Sequence, residues 1–327
     1  RDGEITRVWL VVPGEDFEEE EEELRFADPR AAAYGALLAE FFDARGRRSP
    51  DLWLYTPMAY DIAKCLGAGR LIYDVMDDLS SFLKAPQGLL ARQRELLAAA
   101  DVVFTGGRSL HRSTLSQRRR AVYLFPSGVE QEHYAASREL RRPHSRRVAG
   151  YVGVIDERVD LDLIEKLAAA LPDWTVRMVG PVAKIEESDL PRASNIEYVG
   201  MVPYHQLPQV MADLDVALMP FALNEATRAI SPTKTLEYLA AGLPVVSTRV
   251  PDVVSDYADV VHLADDGTEF AAACREVLTH ELSDRDRKAK PIQARQEWDY
   301  IAASMSQLLD KQAAVPEYRQ VEQEVSA

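Results

Sequence analysis

The chain has 327 residues, 47% hydrophobic and 28% charged, with 53 acidic against 38 basic side chains and a formal net charge of −15. This is ordinary globular composition with length enough for two cores, which sets aside disordered and disulfide-stapled classes. An acidic surface repels phosphate backbones and argues against a nucleic-acid partner, so any anionic ligand must be held locally, by a helix N-terminus or a few aimed cations.

The two cysteines, Cys65 and Cys274, lie far apart in apolar helical patterns and read as buried, reduced thiols. No apolar run is long enough to span a membrane and no signal peptide is evident, so a cytoplasmic protein is expected. The chain opens on Arg1 and enters a strand, Arg7–Val12, almost at once, so further residues are expected ahead of it.

In chain order, Arg7–Val12 ends at Pro13-Gly14, and Glu15–Glu23 is an acidic run read as a solvated loop or helix start. Ala31–Phe42 is amphipathic and helical. The runs Leu52–Tyr55, Arg70–Val75, Asp101–Thr105 and Ala121–Phe125 read as strands, with helices over Met58–Leu66 and Gly88–Ala100 between them. Ser137–Arg147 is polar, strongly basic and contains Pro143, and reads as the connection between domains. The alternation then restarts. Strands are predicted over Arg147–Ile155, Thr175–Val179, Asn195–Val199, Val216–Phe221, Val245–Thr248 and Val260–Leu263. Helices are predicted over Leu161–Leu171, Tyr204–Leu214, Pro232–Ala241, Glu269–His280 and Ile292–Leu309, and the tail after Lys311 is polar. Strands alternating with helices imply an α/β fold of two mainly parallel sheets. Ligands of such sheets sit at the carboxyl ends of the strands, and the cleft between two such domains is the default site.

The most informative segment is Met219–Thr248. Ser231 is a favoured N-cap and Pro232 a favoured first helical residue, while Gly242 and Pro244 mark the other end. The amides of Thr233 and Lys234, the Lys234 charge and nearby Arg228 would make an anion site, with Glu237 one turn inside and suited to neutral hydroxyls. Phosphate at the helix start and hydroxyls one turn in describe a nucleoside diphosphate. On capping alone, a plain capped helix with a solvated Lys234–Glu237 pair is the favoured reading.

The run EYLAAGLPVVS from Glu237 to Ser247 resembles the EYxAxGxPVV segment of retaining glycosyltransferases with the two-Rossmann-domain GT-B fold, more narrowly the group 1 or family 4 class. Phe125–Glu130 with His133 and Tyr134 resembles the PNGVDxxxF segment that ends the N-terminal domain in that class. Tyr151–Ile155 resembles the opening of its donor domain. The resemblance implies two Rossmann-like domains facing across a cleft: an acceptor-side domain over 1–140 lacking its first strands, a nucleotide-sugar domain over 146–290, and a C-terminal helix and tail over 291–327. It implies that Glu237 binds the donor ribose, that Ser231, Pro232 and Thr233 hold the diphosphate, and that Lys234 or Arg228 neutralises the leaving phosphate. Gly153 would admit the donor to the backbone, with Arg158 a second cation. The chain departs from the family pattern in three places. Ala229 stands where the class has its first glutamate, with Glu225 nearby but out of register. Asp156-Glu157-Arg158 replaces the GRxxxxKG cations. The N-terminal strand and glycine-rich turn have no counterpart.

In the first half, Asp74, Asp77 and Asp78 cluster at a strand end, and Met76 stands where the class often has histidine. Asp77 is the candidate for orienting the acceptor or accepting its proton; an N-cap is the equal alternative. Gly106-Gly107 reads as a tight turn. The six histidines have no metal-ligand spacing and no DxD pair follows a strand, so no metal and no cofactor is expected beyond the nucleotide sugar as substrate. The resemblance implies a retaining transferase in bacterial surface polysaccharide assembly, with a sugar or lipid-linked acceptor. It leaves peripheral membrane association open, helped by the basic stretch Arg138–Arg147. A non-catalytic partner subunit and a nucleotide-sugar epimerase are the competing readings.

Overall fold

The computed structural model describes residues 8, 31–79, 87–143, 145–279 and 282–313. The strand expected at Arg7–Val12, the acidic run and the polar tail lie outside these residues, apart from Val8 and the last turn before Ala313. Two compact units divide between Phe125 and Pro126.

In the first unit, α1 (Ala31–Asp43) precedes β1 (Leu52–Leu54), α2 (Tyr60–Lys64), β2 (Leu71–Val75), α3 (Gln87–Ala99), β3 (Val102–Thr105), α4 (Arg108–Gln117) and β4 (Val122–Leu124). The four strands pair in parallel in sequence order, with Leu54 beside Tyr73, Asp74 beside Phe104 and Phe104 beside Tyr123. Val102, Val103 and Phe104 are fully buried, as the near-continuous apolar run of a parallel strand requires. Cys65, expected to be buried, is exposed: its Cβ lies against Gly35 of α1, where a glycine Cβ would come within 2.4 Å of it.

The second unit opens with α5 (Gln131–Leu140), followed by β5 (Val148–Val152), α6 (Leu161–Ala170), β6 (Thr175–Val179), β7 (Ile196–Gly200), α7 (Leu207–Ala212), β8 (Val216–Met219), α8 (Thr233–Ala240), β9 (Val245–Ser247), α9 (Pro251–Tyr257), β10 (His262–Leu263), α10 (Gly267–Glu276), α11 (Leu282–Arg295) and α12 (Trp298–Ala313). Its six parallel strands run β10-β9-β8-β5-β6-β7. The order reverses between β5 and β8, the doubly wound arrangement whose crevice lies at that switch point. The core draws on residues from Val129 and Tyr134 to Ala289 and includes fully buried Ile164, Met178, Leu236, Tyr238 and Phe270.

Three expectations change. Phe125 closes the first unit, but the rest of that segment, Pro126–Tyr134, opens the second. Here the Ser127 hydroxyl bonds that of Ser231 at 3.0 Å, and a Cβ on Gly128 would meet the Trp298 ring at 2.7 Å. The basic stretch is exposed over most of its length, as expected, but it is not a plain loop: α5 runs to Leu140 within it, and several of its arginines reach backbone carbonyls. Arg138 reaches those of Leu239 and Ala240, Arg141 that of Ala241, and Arg146 those of Pro172, Asp173 and Trp174. The helix expected over Ile292–Leu309 breaks into α11 and α12, because the Gln296 carbonyl is taken by the Val129 N–H at 2.8 Å and Glu297 bridges to Val129. Among the described residues no helix is long and apolar enough to cross a membrane.

Candidate functional site

At the switch point of the second unit, the turn after β5 and the loop after β8 are tied to each other. The Asp160 N–H donates to the Pro220 carbonyl at 2.8 Å and the Ala222 N–H to that of Arg158 at 2.9 Å, with Val159 bridged to Phe221. The Asn224 amide reaches the Glu157 carbonyl at 3.1 Å, a further tie between the two loops. Strand β8 pairs only with Ala149 and Gly150 of β5, and the two strands part beyond that point. The Val152 N–H is instead taken by the buried Tyr238 hydroxyl at 2.8 Å, which pins the middle of α8 to the carboxyl end of β5. That bond gives the tyrosine of the Glu237-Tyr238 pair a physical role the sequence reading missed.

Helix α8 then presents Lys234 and Glu237 one turn apart. Lys234 lies against Gly153, where an added Cβ would sit 2.4 Å from its Cε and Nζ, and above the Tyr151 ring, 5.8 Å from the centroid. Burial pulls the Lys234 pKa below the ordinary lysine value and Arg158 pulls the same way, while Glu237 and Asp156 oppose them. Gly153 is therefore needed for close approach, and the group it admits in this structure is an ammonium. Glu237 faces the hydroxyl of Tyr134 on α5, whose pKa is raised by burial and then by that carboxylate. The Tyr204 ring lies edge-on to Tyr134, stacks on His133 at 4.2 Å, and donates its hydroxyl to Glu130 at 3.1 Å. This aromatic wall beside Glu237 was not expected; Tyr134, where the family segment carries phenylalanine, was its only trace in the sequence.

The expected helix start is displaced by one residue. Pro232 is the N-cap and α8 begins at Thr233, without a side-chain cap. The Ser231 hydroxyl is turned to Ser127, and the Thr233 N–H folds back onto the Ser231 carbonyl at 2.9 Å, so one of the two amides assigned to an anion is already paired. Arg158 forks onto Asp156, Nε to Oδ1 at 2.9 Å and Nη2 to Oδ2 at 2.6 Å; Asp156 is buried and that hydrogen bond raises the Arg158 pKa. The guanidinium is thus held beside Lys234 with its charge largely matched. Arg228 is exposed in the turn over 224–228 and pairs with Glu225 at 3.1 Å, while Ala229 is partly buried in the following residues. The structure therefore brings together Gly153, Arg158, Lys234 and Glu237, and holds Arg228 at the surface.

In the first unit Asp77 is exposed, two residues past the end of β2. The enclosed carboxylate is Asp74, 5% exposed, with its Oδ2 accepting from the Trp53 indole at 3.2 Å. Burial pushes its pKa up to about 6, and the Trp53 hydrogen bond only partly offsets this.

Residues 146–280 match the family model described as Glycosyl transferases group 1. TuaH of Bacillus subtilis strain 168, whose name assigns it to teichuronic acid biosynthesis as a glycosyltransferase, is 27% identical over 278 residues, covering 76% of this chain and 69% of that protein. Among solved structures, sucrose-phosphate synthase of Thermosynechococcus elongatus superposes with a TM-score of 0.63 at 17% identity, covering 91% of this chain and 81% of that one. HepE of Anabaena, solved with UDP and glucose, gives 0.62 at 17% identity, over 86% and 82%. At these identities the two structures speak for the fold alone, the α/β fold of GT-B glycosyltransferases.

Proposed function

We propose that this chain, a glycosyltransferase whose residues 146–280 belong to the group 1 glycosyl transferases, moves a sugar from a nucleoside diphosphate sugar to a carbohydrate acceptor with retention of configuration. The observation that carries the reading is the pairing on α8 of a desolvated Lys234, set against Gly153 at the switch point, with Glu237 one turn further along. A buried ammonium without a full counter-charge favours a dianionic diphosphate, and a carboxylate flanked by tyrosines favours neutral hydroxyls such as those of a ribose. UDP is bound by HepE, which supports a uridine donor here. TuaH's name supports polysaccharide assembly as the setting. Catalysis is then positioning plus charge neutralisation of the departing diphosphate, with Lys234 the principal cation and no enzymic nucleophile. Arg138, Arg141 and Arg146 are committed to carbonyls, so membrane attachment by the basic stretch is not part of this reading.

Calorimetric titration of UDP, GDP, dTDP and ADP tests the proposal. One of them should bind, and Glu237→Ala should weaken it by about 1–3 kcal/mol through loss of charge-assisted hydrogen bonds. Lys234→Ala should slow release of free nucleotide from its sugar donor by the equivalent of about 2–4 kcal/mol without lowering the unfolding temperature. If none of the four binds, the fold is being used without transfer, and Ala229 in place of the class glutamate becomes the residue to explain.

A further inference from the structure

The first unit holds one feature that the donor site does not use. Trp53 on β1 lies beside Ile72 of β2 in register, so Trp53, Ile72 and Asp74 share a face of the sheet, with Phe104 next to Asp74 on β3. Trp53 packs on Phe104 at 5.1 Å and on Tyr55 at 6.4 Å with the rings tilted by 33°. Tyr55 follows β1 directly and Asp74 is the penultimate residue of β2, so the group sits at the carboxyl edge of a parallel sheet, where such sheets bind ligands.

Two properties of the group bear on a ligand. Tyr55 is 63% exposed, and its hydroxyl has no hydrogen-bond partner among the described residues. Asp74 is buried, yet the Trp53 indole is its only hydrogen-bond donor among the described residues, and its Oδ1 accepts from none of them. Holding one indole N–H needs a single neutral acceptor. A carboxylate kept there against the cost of burial offers a second oxygen to a donor from outside.

We infer that Tyr55, Trp53 and Asp74 form a pyranose-binding platform in the first unit that takes the acceptor sugar. A pyranose presents C–H groups on its face and hydroxyls around its rim. The exposed aromatic ring receives the face, and the carboxylate accepts from one or two hydroxyls. The word acceptor rests on the transferase reading above; the platform itself does not. Asp74, rather than exposed Asp77, is then the acidic group that meets the acceptor, and Tyr55 sets its orientation.

The test is saturation-transfer NMR on the full chain with excess UDP present, using methyl pyranosides of glucose, galactose, mannose, N-acetylglucosamine, N-acetylgalactosamine and glucuronic acid. At least one should receive saturation at its ring C–H protons. That transfer should fall about five- to tenfold in Tyr55→Ala, persist in Tyr55→Phe, and fall in Asp74→Asn, which still accepts from Trp53. Tyr55 is exposed, so its variants should unfold at the wild-type temperature. No transfer to any pyranoside in the wild type, or equal transfer in Tyr55→Ala, overturns the platform. Calorimetry of UDP on the same sample separates the two readings: UDP bound without sugar defeats the platform alone, and sugar bound without any nucleotide defeats the transferase.

Discussion

Asp74 links burial, charge and pH within one side chain. Its carboxyl is held at about 6 against an ordinary value of 3.8, with burial as the main cause. An acid whose pKa is raised on folding binds more protons in the native state between those two values, so its contribution to stability declines as pH rises from about 4 to about 6 and is flat above. At neutral pH the group costs on the order of 2–3 kcal/mol relative to its protonated form. Asp74→Asn removes the charge, keeps the indole bond, and should therefore be more stable than the wild type. The unfolding temperatures should converge near pH 4 and separate progressively up to pH 7; a constant offset across that range would mean the carboxylate is not the cause. A side chain that lowers stability yet is placed at a ligand edge is the pattern expected of a binding group.

Helix α8 carries the second unit's candidate site, and both its ends are built by other elements. At its C-terminus the Leu243 N–H bonds the Tyr238 carbonyl and the Gly242 N–H that of Leu239, with Gly242 at φ 75°, a Schellman closure. Arg138 of α5, Arg141 just past its end and Arg285 of α11 cover the remaining carbonyls, as cations at a helix C-terminus should. Gly242→Ala would force a left-handed alanine whose Cβ lies 2.8 Å from the Arg138 guanidinium carbon. It should lower stability by about 1–2 kcal/mol in urea titration. This end was legible in the sequence because glycine and proline act locally. The other end was misread by one residue, since the Ser231 hydroxyl prefers Ser127, a partner 104 positions away that no local rule reveals. The same reason hid α5: a basic, proline-containing stretch looks solvated until the carbonyls it covers are folded against it. The break at Gln296 was equally invisible, because Pro291 stays within α11 and the interruption comes instead from Val129. The strands from Leu52 onward were read correctly because period and burial are properties of each segment alone, whereas the helices α4, α5 and α9 were not predicted. Tyr134 and Tyr204 facing Glu237, and Asp74 under Trp53, are properties of segments meeting.

At the scale of the chain, the division between Phe125 and Pro126 assigns α5 to the unit that carries Lys234 and Glu237, although the composition change over Ser137–Arg147 looks like the boundary. The difference is testable with two fragments. One beginning at Pro126 keeps Ser127 on Ser231, Tyr134 on Glu237, and Arg138 and Arg141 on the last turn of α8. One beginning at Arg142 loses all four. Stripping three capping interactions and a core tyrosine that is 3% exposed removes several kcal/mol, a large part of the stability of a domain this size. The longer fragment should unfold cooperatively and bind the nucleotide with the affinity of the full chain. The shorter should show a lower and broader transition and no nucleotide binding. Equal stability of the two would return the boundary to the basic stretch and reduce the arginine caps to surface contacts, whose worth is small.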